Sequence, residues 1–97
     1  MLDKMKQLME MKKQADQLKR QLDAESVEVN ETRGIKIVIN GSQYFQSVEI
    51  DPTLLQPENK ARFESDLLRS LNTSIKKSQN IAAQKMKSMV GLNIPGL

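Results

Sequence analysis

Apolar and polar positions change period twice along this chain. In residues 1–25, Leu8, Met11, Ala15, Leu18 and Leu22 recur at alternating spacings of three and four, which is one face of a helix. Met1 and Met5 extend the stripe less regularly. The segment contains no Gly, Pro or β-branched residue and is rich in Met, Leu, Lys, Gln and Glu, all good helix formers. The pattern predicts a helix over 1–25 that packs on another apolar surface, since two heptads are too few for a free-standing coiled coil.

From Ser26 the period falls to two. Val27 and Val29 alternate with Glu28 and Asn30, and Thr32-Arg33-Gly34 reads as a turn. Two further runs rich in β-branched residues flank Asn40-Gly41, a strong signal for a two-residue type I′ hairpin. Such a loop would set Ile39 opposite Ser42, Ile37 opposite Tyr44 and Ile35 opposite Gln46. It would place Ile35, Ile37, Ile39, Tyr44, Val48 and Ile50 on one face, with Lys36, Val38, Asn40, Phe45, Ser47 and Glu49 on the other. The expectation is a three-stranded antiparallel meander over 26–51, closed at Asp51-Pro52 because Pro cannot donate to a ladder.

Leu54 and Leu55 are expected to tuck back toward the sheet. Pro57 and Glu58 suit the start of a second helix over 57–90. Its predicted apolar stripe is Ala61, Leu68, Leu71, Ile75, Ala82 and Met89, with Leu67, Ser78 and Met86 at the margins. Arg69, Thr73, Lys76, Asn80 and Lys87 fall on the opposite side, flanked by Gln84 and Lys77. Gly91 is a candidate cap, and 91–97 an apolar tail. The whole is one domain over 1–97, of α+β class, with two layers in the order α-β-β-β-α.

Helices of such length outgrow a small sheet. The second would run about 50 Å at 1.5 Å per residue, whereas a compact domain of this size has a radius of gyration near 12–13 Å. Its apolar stripe nonetheless continues to Met86 and Met89. Pairing of the helix ends and a second subunit are both expected, the latter as a symmetric homodimer.

Charge sharpens this picture. The net charge is only +3, but residues 67–97 carry five Lys/Arg and no Asp/Glu, and the ridge opposite the apolar stripe therefore holds no acid. Such asymmetry points to an anionic partner, although a solvated helix face has the same pattern. On the first helix Lys6, Lys13 and Arg20 recur every seven residues, opposite the seam. The chain has no Cys and no His, so thiolate chemistry, disulfides and the commonest general base and metal ligand are missing. No Gly-rich phosphate loop or paired carboxylates stand out. The expectations are no enzyme, no catalytic residue, no cofactor, no metal and no small-molecule substrate. No apolar run is long enough to span a membrane and the amino-terminal segment is charged throughout, so a cytoplasmic protein without membrane association is expected.

Ile39-Asn40-Gly41, Val48-Glu49-Ile50-Asp51-Pro52-Thr53-Leu54-Leu55, Asp66-Leu67-Leu68, Leu71-Asn72 and Lys76-Lys77 together resemble the YbaB/EbfC family of bacterial nucleoid-associated proteins. The Met/Gln/Lys-rich first helix and the tail with Gly91-Leu92 and Pro95-Gly96-Leu97 agree with it. Where the family often has a Gly-rich connection between its first two strands, this chain has Asn30–Gly34. The resemblance implies a tight, tweezer-like homodimer that binds double-stranded DNA through its helical arms with little sequence preference, associated with the nucleoid. Lys6, Lys13, Arg69, Lys76, Lys77, Lys85 and Lys87 are the candidate DNA-binding residues, acting by phosphate neutralisation. The competing reading is a protein–protein adaptor using the Met-rich amphipathic helices, without direct nucleic-acid binding.

Overall fold

Helix α1 runs Leu2–Ala24, and the change to alternating Val residues begins β1, Ser26–Val29. Strands β2, Ile35–Asn40, and β3, Phe45–Ile50, follow. Two 3₁₀ turns, Pro52–Leu55 and Pro57–Asn59, lead into α2, Lys60–Val90. The computed structural model describes residues 2–90. The expected Gly91 cap and tail, and the part of Met1 and the Met89 side chain in the apolar stripes, lie outside what is described. The sheet is an antiparallel meander in the order β1-β2-β3, so the fold is α+β as the periods indicate.

The hairpin joining β2 and β3 differs in type from the expected one. The Asn40 amide donates to Tyr44 O (2.9 Å) and Gln43 N–H donates to Asn40 O (3.2 Å). The loop therefore has three residues, and Gln43, not Gly41, takes the left-handed conformation, at φ 66°. A second irregularity lies one step further on. Val38 pairs with Ser47 but Ile39 with Phe45, so Gln46 is an extra, bulged residue. Beyond it Ile37 faces Val48 and Ile35 faces Ile50. Loop and bulge together displace the expected register. Phe45 joins Ile39 on the core face, and Tyr44, expected there, is 72% exposed.

Among the described residues Val29, Ile35, Ile37 and Ile39 are the buried apolar side chains, with Val27, Leu54, Leu67, Leu71 and Ile75 packed against them. The opposite sheet face is solvated. There Lys36 Nζ lies 2.9 Å from Glu28 and 3.8 Å from Glu49.

Helix α2 meets the sheet along a line that hydropathy marks only in part: Leu71 and Ile75 of the predicted stripe and Leu67 of its margin pack on the core. Ser70, Ser74 and Ser78 are fully buried, whereas Leu68 is 62% exposed and Ala61 and Met86 are also exposed. A serine line lets the helix backbone approach the strands closely. Each hydroxyl is satisfied: Ser70 Oγ donates to Asp66 O, Ser74 Oγ to Ser70 O, and Ser78 Oγ to Asn40 O (2.8 Å). The contact axis is thus rotated away from the predicted Leu68–Ala82 stripe.

Candidate nucleic-acid interface

The hairpin loop sets the directions of both helices. The last carbonyls of a helix lack intrahelical donors, and here the loop supplies them. Gly41 N–H lies 2.9 Å from Leu22 O and 3.0 Å from Glu25 O. Asn40 Nδ2 reaches Asp23 O at 3.5 Å, and Ser42 Oγ donates to the Asp23 carboxylate. Asn40 Oδ1 meanwhile accepts from Ser42 N and Tyr44 N, each at 3.0 Å. On the other side Ser78 Oγ donates to Asn40 O and accepts from Gln43 N. A Cβ on Gly41 would sit 3.0 Å from Leu22 Cδ2 and Leu22 O. Glycine is required here for close approach of α1.

From this anchor α1 leaves the body. Its Leu18 and Leu22 are half-buried, and every described residue from 2 to 17 is exposed. Lys6 and Lys13 therefore lie on a projecting arm. At about 100° per residue they fall opposite Leu18 and Leu22, with Arg20 on the same line. Lys12 and Lys19 are likewise exposed and add to the arm's charge. The seven-residue spacing that marks Lys6, Lys13 and Arg20 does not include them, and only their exposure points to them.

On α2 the expected ridge stands opposite the serine line. Arg69, Lys76, Lys77, Asn80, Gln84 and Lys87 are exposed and Thr73 is half-exposed. Among the described residues, Arg69, Lys76, Lys77 and Lys87 make no ion pair. From Arg69 to Lys87 the ridge spans about 27 Å at 1.5 Å per residue. Lys77 lies toward its flank. Lys85 does not belong to it. That residue falls near the inward line of Ser74 and Ser78, and its Nζ pairs with Glu25 at 3.1 Å, tying α2 to the end of α1. The structure thus gathers Arg69, Lys76 and Lys87 on one face with Lys77 at its flank, keeps Lys6 and Lys13 on a separate arm, and pairs Lys85 with Glu25.

The family model of the YbaB/EbfC DNA-binding family matches residues 1–92. The chain belongs to this family. Its relatives include a nucleoid-associated protein of Pelotomaculum thermopropionicum, 35% identical over 95 residues, with 96% of this chain and 90% of the relative covered. Another is a nucleoid-associated protein of Clostridium kluyveri, 33% identical over 97 residues, with 96% and 83% covered. In fold the chain is similar to a crystal structure of a Helicobacter pylori protein, with a TM-score of 0.76, 24% identity, and 87% and 89% of the two chains covered. YbaB/EbfC proteins are thus defined by DNA binding and not by a reaction. Among the described residues no helix is long and apolar enough to cross a membrane, and no group of three or more acidic residues is placed to hold a metal ion.

Proposed function

We propose that this protein is a nucleoid-associated, homodimeric DNA-binding protein that holds duplex DNA by phosphate contacts, with little sequence preference. The observation that carries the reading is the acid-free, solvent-facing ridge of Arg69, Lys76, Lys77 and Lys87, whose cations have no partner among the described residues. Each cation placed near a phosphate releases condensed counterions, which gives affinity without base discrimination. Lys6 and Lys13 on the α1 arm add to the footprint, and Thr73, Asn80 and Gln84 offer hydrogen bonds to phosphate oxygens.

The small apolar core supports the homodimer. The radius of gyration is 18.8 Å and the extents are 67 × 25 × 16 Å, against about 12.5 Å for a compact chain of this length. Phe45 and Val48 on β3 remain 41% and 46% exposed on the face that α2 covers over β1 and β2, and Leu68 is also uncovered. A second copy covering these residues would join two sets of arms.

The test is a fluorescence anisotropy titration with duplexes of unrelated sequence. Micromolar-range affinity that falls steeply between low and physiological salt is expected, and absence of binding at low salt would sink the reading. Replacing Lys76, Lys77 and Lys87 by Gln should weaken binding to every sequence alike. The salt slope should drop by about 0.9 for each phosphate that is no longer neutralised. One observation favours the adaptor reading instead: Met5, Leu8, Met9 and Met11 are 64–71% exposed on α1, a soft apolar surface suited to a protein partner. Absence of DNA binding at low salt would favour it, whereas DNA binding that survives removal of the ridge charges would place the DNA contact elsewhere on the molecule.

A further inference from the structure

At the end of the molecule remote from Lys87, the β1–β2 turn and the start of α2 enclose a cavity of about 350 Å³ lined by Arg33, Gly34, Asp51, Thr53, Asn59 and Arg62, with Leu54 at its wall. We propose that this cavity is an anion site in which Arg33 and Arg62 hold a single phosphate group.

Its other side-chain donors are already committed. Asp51 Oδ1 accepts from Thr53 N at 2.9 Å and from Thr53 Oγ1 at 2.8 Å. Asn59 Nδ2 donates to Thr53 O at 2.8 Å. The arginines are the donors left over. Arg33 has no ion pair among the described residues. Arg62 offers only its Nε to Asp66, at 3.7 Å, which leaves both terminal nitrogens free. The carboxylates of Asp51 and Asp66 offset the two guanidinium charges, so the site would hold an anion through the free nitrogens of the two forks and not through excess charge. The guanidinium fork matches two oxygens of a phosphate, which an ammonium cannot do. The first turn of α2 adds the positive end of its dipole.

Gly34 lets the turn pack closely on the cavity wall. It has φ 90°, and a Cβ there would lie 2.9 Å from Leu54 Cδ1 and 3.3 Å from Asp51 Cβ. Any side chain would press into the wall that brings Arg33 toward Asp51. Glycine at this position thus keeps the β1–β2 turn against Asp51 and Leu54.

A phosphate can come from the backbone of a duplex or from a small phosphorylated molecule, and two arms of one experiment separate these sources. The first titrates the full chain with inorganic phosphate, using chloride at equal ionic strength as control, and follows backbone amides by two-dimensional NMR. Saturable shifts centred on Arg33, Gly34, Thr53 and Arg62 are expected. Arg33→Gln and Arg62→Gln should each abolish them, and Arg33→Lys should weaken them several-fold despite keeping the charge. Both arginines are solvent-accessible, so the fold should persist, and unchanged helical circular dichroism checks this. The second arm measures duplex affinity of the same variants. A several-fold loss assigns the phosphate to nucleic acid; unchanged affinity assigns it to a small ligand. Shifts that do not saturate, that spread evenly over the surface lysines, or that survive in both Gln variants overturn the proposal. Because the first arm contains no DNA, its outcome is separate from that of the α2 ridge.

Discussion

Gly41 and Gln43 stand two positions apart in one loop and make opposite demands. Gly41 has no unusual dihedral but touches α1, so Gly41→Ala should force Leu22 away and destabilise by about 1–3 kcal/mol, the usual cost of overpacking. Gln43 occupies the left-handed region at φ 66°, where a Cβ is strained. Gln43→Gly should therefore stabilise, by up to about 1 kcal/mol after glycine's own entropy cost. Urea denaturation of the two variants checks both signs. Asn40-Gly41 is legible in the sequence as a turn, because its propensities are local. Why glycine is needed is not legible, because the reason is a contact with Leu22, 19 positions earlier in the chain. Asp51 gives a pH effect at the same scale. Hydrogen bonds from the Thr53 backbone, then from its side chain, hold the carboxyl below its ordinary value of 3.8. Its contribution to stability is therefore complete above that value and is lost as pH falls through the folded-state pKa. Asp51→Asn should flatten the acid limb of a stability–pH profile while leaving its shape near neutrality unchanged.

Three buried serines on α2 look equivalent in the sequence but differ in what their hydroxyls do. Ser74 Oγ returns to the carbonyl of its own helix at Ser70 (2.7 Å), a bond that adds little to the helix. Ser74→Ala should be neutral or slightly stabilising, since alanine is the better helix former. Ser78 Oγ bridges Asn40 O and Gln43 N on the hairpin. Ser78→Ala removes both of these bonds, although Gln43 N still donates to Asn40 O, and should cost about 0.5–1.5 kcal/mol. Thermal melts of the pair discriminate the roles, and equal losses would show that the line acts only as a spacer. The helical period of α2 is plain in its sequence. Its contact axis is not, because hydropathy scores serine as polar and draws the axis toward Leu68. Closeness of packing, not apolarity, selects the inward line. Lys85, a candidate by charge and not by its place on the ridge, pairs with Glu25, 60 positions earlier in the chain.

The excess of helix over sheet is visible from length alone, and the 67 Å long axis, with four buried apolar residues among those described, bears that out. What covers the surplus is not encoded in the periodicity of one chain. The proposed homodimer makes the whole molecule testable through its concentration dependence. Folded dimer in equilibrium with unfolded monomer raises Tm as protein concentration rises. Sedimentation should report twice the 11.0 kDa chain mass. Phe45→Lys combined with Val48→Lys places charges on the uncovered part of the core face without touching the ridge. These changes should shift the protein toward monomer and remove the concentration dependence of Tm. They should also weaken DNA binding, because two linked sets of arms bind with an avidity about 10²–10⁴ above either alone. A loss of about 100-fold or more in duplex affinity is therefore expected although both changes add positive charge. If affinity rises instead, as added charge alone would cause, the arms act singly and the dimer does not contribute to DNA binding.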